Sequence, residues 1–210
     1  MNKIKLTFAF ILLTEAYSYA QVAFNPQVGL TISTLNNLEK NTSNKAKVGW
    51  QAGADFRIGR QLYLQPGVFA SQTSTVYVID DGTSQESKLE RTDVKLKLLA
   101  GFNLLNSDDA KLRVNVGPTY NFLIASKVKN DNLDDVTLGQ IEDNFNNGLF
   151  NIDAGLGIDF WKLTIEGGYS LGLSKAFKDD VGAQAEYLKS NVKYGTFYFN
   201  VGFVIGDTKQ

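Results

Sequence analysis

Val48-Gly49-Trp50-Gln51-Ala52-Gly53-Ala54-Asp55-Phe56-Arg57-Ile58 is the stretch whose reading decides the fold. Val48, Trp50, Ala52, Ala54, Phe56 and Ile58 share one phase of a period-two alternation, and Gly49, Gln51, Gly53, Asp55 and Arg57 share the other. Successive side chains of a strand point to opposite faces, so this segment is a strand with one apolar and one polar face. The separation of the two phases is sharper than an ordinary amphipathic strand needs.

The same alternation recurs along the chain and predicts eight strands. Before this one lies a strand near 22–33, with Val28, Leu30 and Ile32 against Gly29, Thr31 and Ser33. After it come strands near 62–75, 91–104 and 111–124. A hairpin follows across Trp161-Lys162, with Phe150 to Phe160 opposing Leu163 to Leu173, and a last strand lies near 193–205. The connections alternate in length. Gly59-Arg60-Gln61, Asn106-Ser107-Asp108-Asp109 and Trp161-Lys162 are short, whereas the stretches at 76–90, 125–147 and 174–192 are long and polar. Short turns on one side and long loops on the other are the habit of bacterial outer-membrane barrels. The expected fold is all-β, an eight-stranded antiparallel up-and-down transmembrane β-barrel. Part of 133–145 could form a helical turn within its loop.

Alternation alone fits two barrels, because a soluble lipocalin-like ligand-binding barrel turns its apolar phase inward. The grading of the apolar phase separates them. Phe56, Phe102, Phe160, Trp161 and Phe203 fall at the turn end, and Trp50, Tyr120, Phe122, Phe150, Tyr169 and Phe197 toward the loop end. Aliphatic residues such as Val68, Leu98, Val116 and Leu156 fill the band between. Two aromatic belts around an aliphatic band of about 25 Å mark a lipid-facing surface. The polar phase is rich in glycine, including Gly53, Gly101, Gly155, Gly157 and Gly168, which makes room for long side chains inside a narrow barrel. Pro66 and Pro118 fall inside strands and are expected at bulges.

The first twenty residues have the order of an export signal: Lys3 and Lys5, an apolar stretch from Leu6 to Leu13, and Ser18-Tyr19-Ala20 before a cleavage point ahead of Gln21. The expected organisation is a signal peptide over 1–20 and one barrel domain over 21–210, in the outer membrane of a Gram-negative bacterium. Losing Lys3, Lys5 and Glu15 turns 21 basic and 22 acidic residues into 19 and 21. That balance argues against a nucleic-acid partner. The chain has no cysteine, so disulfides, thiolate metal sites and a lipoprotein anchor are excluded.

Several stretches resemble the PorT-like family of small outer-membrane β-barrel proteins. Leu64-Gln65-Pro66-Gly67 is similar to that family's third-strand motif, and Gly117-Pro118-Thr119-Tyr120 with Leu123-Ile124-Ala125-Ser126-Lys127-Val128 to its fifth strand running into a loop. Asn146-Asn147-Gly148-Leu149 with Gly155-Leu156-Gly157 resembles the sixth, and Tyr169-Ser170-Leu171-Gly172-Leu173 the seventh. The family's fourth-strand proline is absent, Lys95-Leu96-Lys97 standing in its place. The resemblance implies an outer-membrane barrel, with some members linked to secretion, and makes strand prolines expected.

The chain contains no histidine, the residue that most often moves protons in catalysis. The carboxylates also lack the spacing of a calcium loop. No catalytic, cofactor or metal site is expected. Asp55, Arg57, Lys95, Lys97, Arg113, Asp153, Asp159 and Glu166 fall in the lumen phase, together with Arg91 and Asp93. Asp153 and Glu166 could be read as the acid and base of a glycosidase. The competing reading is a network of ion pairs filling a lumen too narrow to conduct, shared with inward-pointing Tyr63, Phe69, Leu99 and Tyr198. In the loops, Asp134, Asp135, Glu142, Phe177 and Tyr187 are candidate contacts for another envelope or surface protein. Outer-membrane lipid is the expected surrounding and a monomer the expected state. The function expected is structural or interactive and non-catalytic, with a narrow channel or transport component as the alternative.

Overall fold

The computed structural model describes residues 21–36, 42–80, 84–107, 110–129, 145–177 and 192–206. They form β1 (Val22–Asn36), β2 (Thr42–Gly59), β3 (Leu62–Asp80), β4 (Ser84–Asn106), β5 (Ala110–Lys129), β6 (Gly148–Phe160), β7 (Leu163–Gly172) and β8 (Lys193–Phe203). Ile205–Gly206 continues the register of β8 against β1 after a one-residue break at Val204, whose N–H is taken by the Lys162 carbonyl at 2.7 Å. Every strand is antiparallel to its neighbours, and β1 pairs with both β2 and β8, so the sheet closes on itself.

The register fixes the stagger of that closure. A path of paired residues leaves β1 at Val22 and runs through Ile58, Leu64, Ala100, Val116, Ala154, Tyr169 and Phe197. It returns to β1 at Ile32, ten residues further along. Strand number and stagger together set strand tilt and barrel width, and eight strands leave an interior just wide enough for side chains.

The apolar phase faces outward. Val28, Trp50, Phe56, Val68, Leu98, Val116, Leu156, Phe160 and Phe197 are exposed, while the opposite phase is buried and largely polar. This distribution is the reverse of a soluble ligand-binding barrel and removes that alternative. Burying the outward phase in lipid removes its apolar area from water, and the closed ladder leaves no unpaired strand edge along the barrel wall.

Several strands are longer than the hydropathy pattern indicates. The stretch 76–90, expected as loop, is mostly a β-hairpin in which β3 and β4 stay paired as far as Asp80 with Ser84. β1 continues to Asn36, beyond the expected end near 33, β2 begins at Thr42, and β5 continues to Lys129. A ladder needs only backbone groups. Once both faces of a strand leave the lipid, apolar alternation ends while pairing persists.

The prolines are not at bulges. Pro66 pairs with Leu98 and Pro118 with Ile152 in unbroken register. On their other sides the β2–β3 and β4–β5 ladders lapse between Asp55–Gly67 and Ile58–Leu64, and between Lys97–Thr119 and Ala100–Val116, without a shift. A strand residue points its N–H to one neighbour only, so each ring lacks a donor toward the lapsed side alone. The register shifts lie elsewhere, at Ala46/Trp50, Thr92/Asp93 and Asn103/Leu105.

Candidate functional site: the filled lumen

Alternation on β2, β4, β5, β6 and β7 turns Asp55, Arg57, Lys95, Lys97, Arg113, Asp153, Asp159 and Glu166 into the barrel, where all eight are buried. The largest group centres on Arg113. Its Nη1 lies 2.5 Å from Glu166 Oε2, its Nε 3.3 Å from Asp159 Oδ1, and its Nη2 donates to Thr164 Oγ1 at 2.9 Å. Arg57 Nη1 reaches Asp159 Oδ2 at 2.7 Å, and its Nη2 donates to the same Thr164 oxygen. The Thr164 hydroxyl in turn donates to Asp159 Oδ1 at 2.5 Å. Asn115 Nδ2 also donates to Glu166, and Lys97 Nζ stands 3.9 Å from it.

Lys97 makes its other contacts with rings, lying 4.7 Å from the Phe69 centroid and 5.1 Å from that of Tyr198. An ammonium over an aromatic face is stabilised more strongly when water is excluded. Lys95 stands 3.9 Å from Asp153, which also accepts from Thr119 Oγ1 at 3.1 Å. Arg91 and Asp93 pair at 2.8 Å, and Arg91 also donates to the Asn146 carbonyl.

Asp55 stands apart from the expected ion-pair network. Its carboxylate accepts from the amides of Gln27 at 2.7 Å, Gln65 at 2.8 Å and Asn25 at 3.2 Å. Among the described residues no cation lies within ion-pair distance of it. These amides and Thr164 were not singled out from sequence, although each falls in the same strand phase as the charges, which is the signal that locates them. Asp153 and Glu166 do not form an acid/base pair. Both are wholly buried, and each is held by its own cation and hydrogen-bond donor.

Glycines make the filling possible. Gly157 is paired with Arg113 on one side and Glu166 on the other, and a Cβ there would collide with the guanidinium. A Cβ at Gly101 would strike the Tyr63 ring, and one at Gly168 the Tyr198 ring.

Small cavities remain, two of them among the described residues at opposite ends of the lumen. One, of about 50 Å³ at the short-turn end, is lined by residues including Arg57, Tyr63 and Asn103, and the other, of about 20 Å³ toward the loops, by residues including Ser71, Lys95 and Thr196. Between these linings lie Gln65 and Phe69 on β3, Lys97 and Leu99 on β4, and Tyr198 and Asn200 on β8, all buried. A layer of buried side chains thus lies between the two cavities.

The loop end carries buried apolar residues of its own, among them Leu35, Val76, Leu89, Phe145, Leu149, Ala176 and Val192. Phe177, expected as an exposed loop contact, is buried at 3 % exposure. It forms a β-bridge with Phe145, with ring centroids 5.0 Å apart. Its ring packs in an apolar cap and is not available to a partner. The other loop candidates, Asp134, Asp135, Glu142 and Tyr187, lie outside the described residues, as do the signal segment and the suggested helical turn except for Phe145.

A closed, lipid-facing barrel with a charged, occupied interior agrees with the family comparison, in which residues 16–178 match the outer membrane protein beta-barrel domain. The chain belongs to that family. No curated protein is similar enough in sequence to count as a match. Solved structures similar to this family member include Ail, the attachment invasion locus protein of Yersinia pestis. It is 14% identical, with a TM-score of 0.44, covering 88% of this chain and 99% of that one. The outer membrane protein OprG from Pseudomonas aeruginosa is 10% identical, with a TM-score of 0.49, covering 90% of this chain and 97% of that one.

Proposed function

We propose that this barrel works by contact: a non-catalytic outer-membrane scaffold, sealed to solutes, that presents its loop end to another envelope or surface component. The observation that carries this reading is the side-chain layer between the two cavities, in which Gln65, Leu99, Glu166 and Asn200 are wholly buried. A channel needs a continuous aqueous path, and a hydrolase needs a cleft with an accessible acid and base. The packed lumen favours neither.

Strand length supports a contact role. β2 to β5 continue well beyond the outer aromatic belt, with Thr42 paired to Ile79, Asp80 to Ser84 and Lys88 to Lys129. β6, by contrast, starts only at Gly148, opposite Phe122. Loops and extensions on a rigid scaffold commonly carry recognition. On the same proposal the barrel is of a PorT-like subgroup, which the third-, fifth-, sixth- and seventh-strand stretches support, is exported by a signal cleaved before Gln21, resides in a Gram-negative outer membrane and is monomeric.

The test is cross-linking in intact cells. Residues beyond the Val76–Lys88 pair would be replaced by an Asn-Gly turn, and in separate variants the 130–144 and 178–191 stretches by short Gly/Asn turns. The faster migration of unboiled protein on gels should survive each change, while any cross-linked partner of the wild type should be lost in at least one. Retention of every cross-link in all variants would overturn the loop-contact reading.

A further inference from the structure

On the outer face of β7, β8 and β1 the loop-side aromatic belt ends in a cluster of polar side chains. We infer that this cluster binds the phosphate of a lipid headgroup in the leaflet on the loop side.

Register sets the depth. Along β8, Phe197 pairs with Tyr169 of β7 and Ile32 of β1, Gly195 with Leu171 and Thr34, and Lys193 with Asn36. These three β8 positions alternate with buried Tyr194, Thr196 and Tyr198, so they share the outward face. Phe197, Ile32 and Leu171 are exposed. The Tyr169 and Phe197 rings, their centroids 4.6 Å apart, belong to the belt that marks headgroup level. Gly195 and Lys193 are the next two outward positions toward the loops, where the hydrocarbon ends and the headgroups begin.

Gly195 shows where the neighbouring side chains point. A Cβ there would collide with the Tyr169 hydroxyl from β7 and with Asn36 Nδ2 from β1. Both groups therefore converge over the glycine, which is buried beneath them although it lies on the outward face. Tyr169 keeps its ring in the belt and sends its hydroxyl toward the loops, as amphipathic side chains do at an interface. Lys193 stands directly opposite Asn36, and paired residues project from one face with Cβ atoms about 4.5–5.5 Å apart. All three side chains are half-buried, and among the described residues none has a hydrogen-bond or ion-pair partner. A hydroxyl and an amide beside an ammonium form a donor set suited to phosphate oxygens.

Other sectors of the same rim satisfy themselves. Trp50 Nε1 donates to Gln72 Oε1 at 2.8 Å, and Lys88 Nζ pairs with Glu90 Oε1 at 2.5 Å. Over Gly195 the donors face the membrane surface, and a headgroup phosphate supplies the acceptor. This site rests on the apolar phase facing lipid and needs no loop partner. Its failure and that of the loop-contact reading are thus read separately, by lipid titration and by cross-linking.

The test uses the full mature barrel, isotope-labelled, in nanodiscs of phosphate-free digalactosyl diacylglycerol. Phosphatidylglycerol or diphosphoryl lipid A is added at rising mole fraction while the amide signals of Leu171, Lys193 and Gly195 are followed. Saturable shifts are expected at all three, and whichever lipid saturates them at the lower phosphate fraction identifies the source. Lys193→Gln, Tyr169→Phe and Asn36→Leu, each checked for heat-modifiable migration, should raise the half-saturating fraction several-fold. Lys88→Gln, which removes one positive charge from another sector of the rim, should leave it unchanged. Shifts that fail to saturate with both lipids, or wild-type half-saturation in the three site variants, would overturn the inference. So would a Lys88→Gln effect as large as that of Lys193→Gln, which would reduce the site to diffuse charge.

Discussion

Arg113 on β5 and Glu166 on β7 meet across a strand that contributes only a glycine, their Nη1 and Oε2 atoms 2.5 Å apart over Gly157 of β6. Neighbouring strands are about 4.8 Å apart, so side chains two strands away meet only if the residue between them has no bulk. At this point the lumen is filled by a long charged side chain that leans across a glycine toward a partner on the next strand but one.

Removing one member of this pair should cost more than removing both. Arg113→Met leaves Glu166 buried with Lys97 and Asn115 alone, and is expected to destabilise the barrel by about 3–5 kcal/mol. Arg113→Met with Glu166→Met should recover much of that loss. Urea unfolding in lipid vesicles reads the difference, and a double variant as unstable as the sum of the singles would show that the two side chains do not act as a pair.

Gly157 and Gly167 sit in different surroundings and should respond differently to an added methyl group. A Cβ at Gly157 meets the Arg113 guanidinium, whereas at Gly167 the nearest atom is 3.9 Å away. Gly157→Ala should cost roughly 1–3 kcal/mol through overpacking, and Gly167→Ala should be neutral or mildly stabilising. Equal effects in the same unfolding assay would count against a close-packed lumen.

Lipid contact is testable by parity. Val116 and Leu98 are each 52 % exposed on the mid-band, while Asn115 is buried and donates to Glu166. Val116→Arg or Leu98→Arg should cost about 2–4 kcal/mol in bilayers. Asn115→Leu should destabilise by stripping Glu166 of a donor. Wild-type stability of Val116→Arg alongside a stabilised Asn115→Leu would mean that the faces are reversed.

The β6–β7 turn gives a prediction about backbone strain. Trp161 has a φ of 55° and is 76 % exposed at the turn-end belt. The left-handed region costs a non-glycine residue roughly 1–2 kcal/mol, so Trp161→Gly should be more stable than Trp161→Ala by about that amount. Both lose the interfacial ring equally, which isolates the backbone contribution. Indistinguishable midpoints would remove the strain argument.

Conductance follows from the buried layer between the cavities. Purified protein in planar bilayers should give no large, steady open-pore current. Such a current would contradict the sealed lumen and favour a channel.

Period-two alternation was enough to reveal eight strands, the tight Trp161-Lys162 turn and the inward phase of all eight lumen charges, because strand geometry assigns alternate residues to opposite faces without reference to the rest of the chain. The aromatic belts similarly disclosed which phase meets lipid, since ring position along a strand reflects membrane depth. Strand ends beyond the belts were not legible. There pairing is held by backbone groups that every residue carries, and no side-chain pattern marks where it stops.

What the amino-acid sequence determined by itself was therefore the set of residues inside the barrel; which of them touch was decided by closure. Strand stagger brings Arg113 to Glu166 and Asp159, leaves Asp55 to three amides, and buries Phe177 against Phe145. It also gathers Arg57, Arg60 and Lys111 from β2, the β2–β3 turn and β5 around the short-turn cavity. These groups are far apart in the chain, and their distances depend on register and stagger accumulated over all eight strands. That sum exists only once β1 has paired with β8.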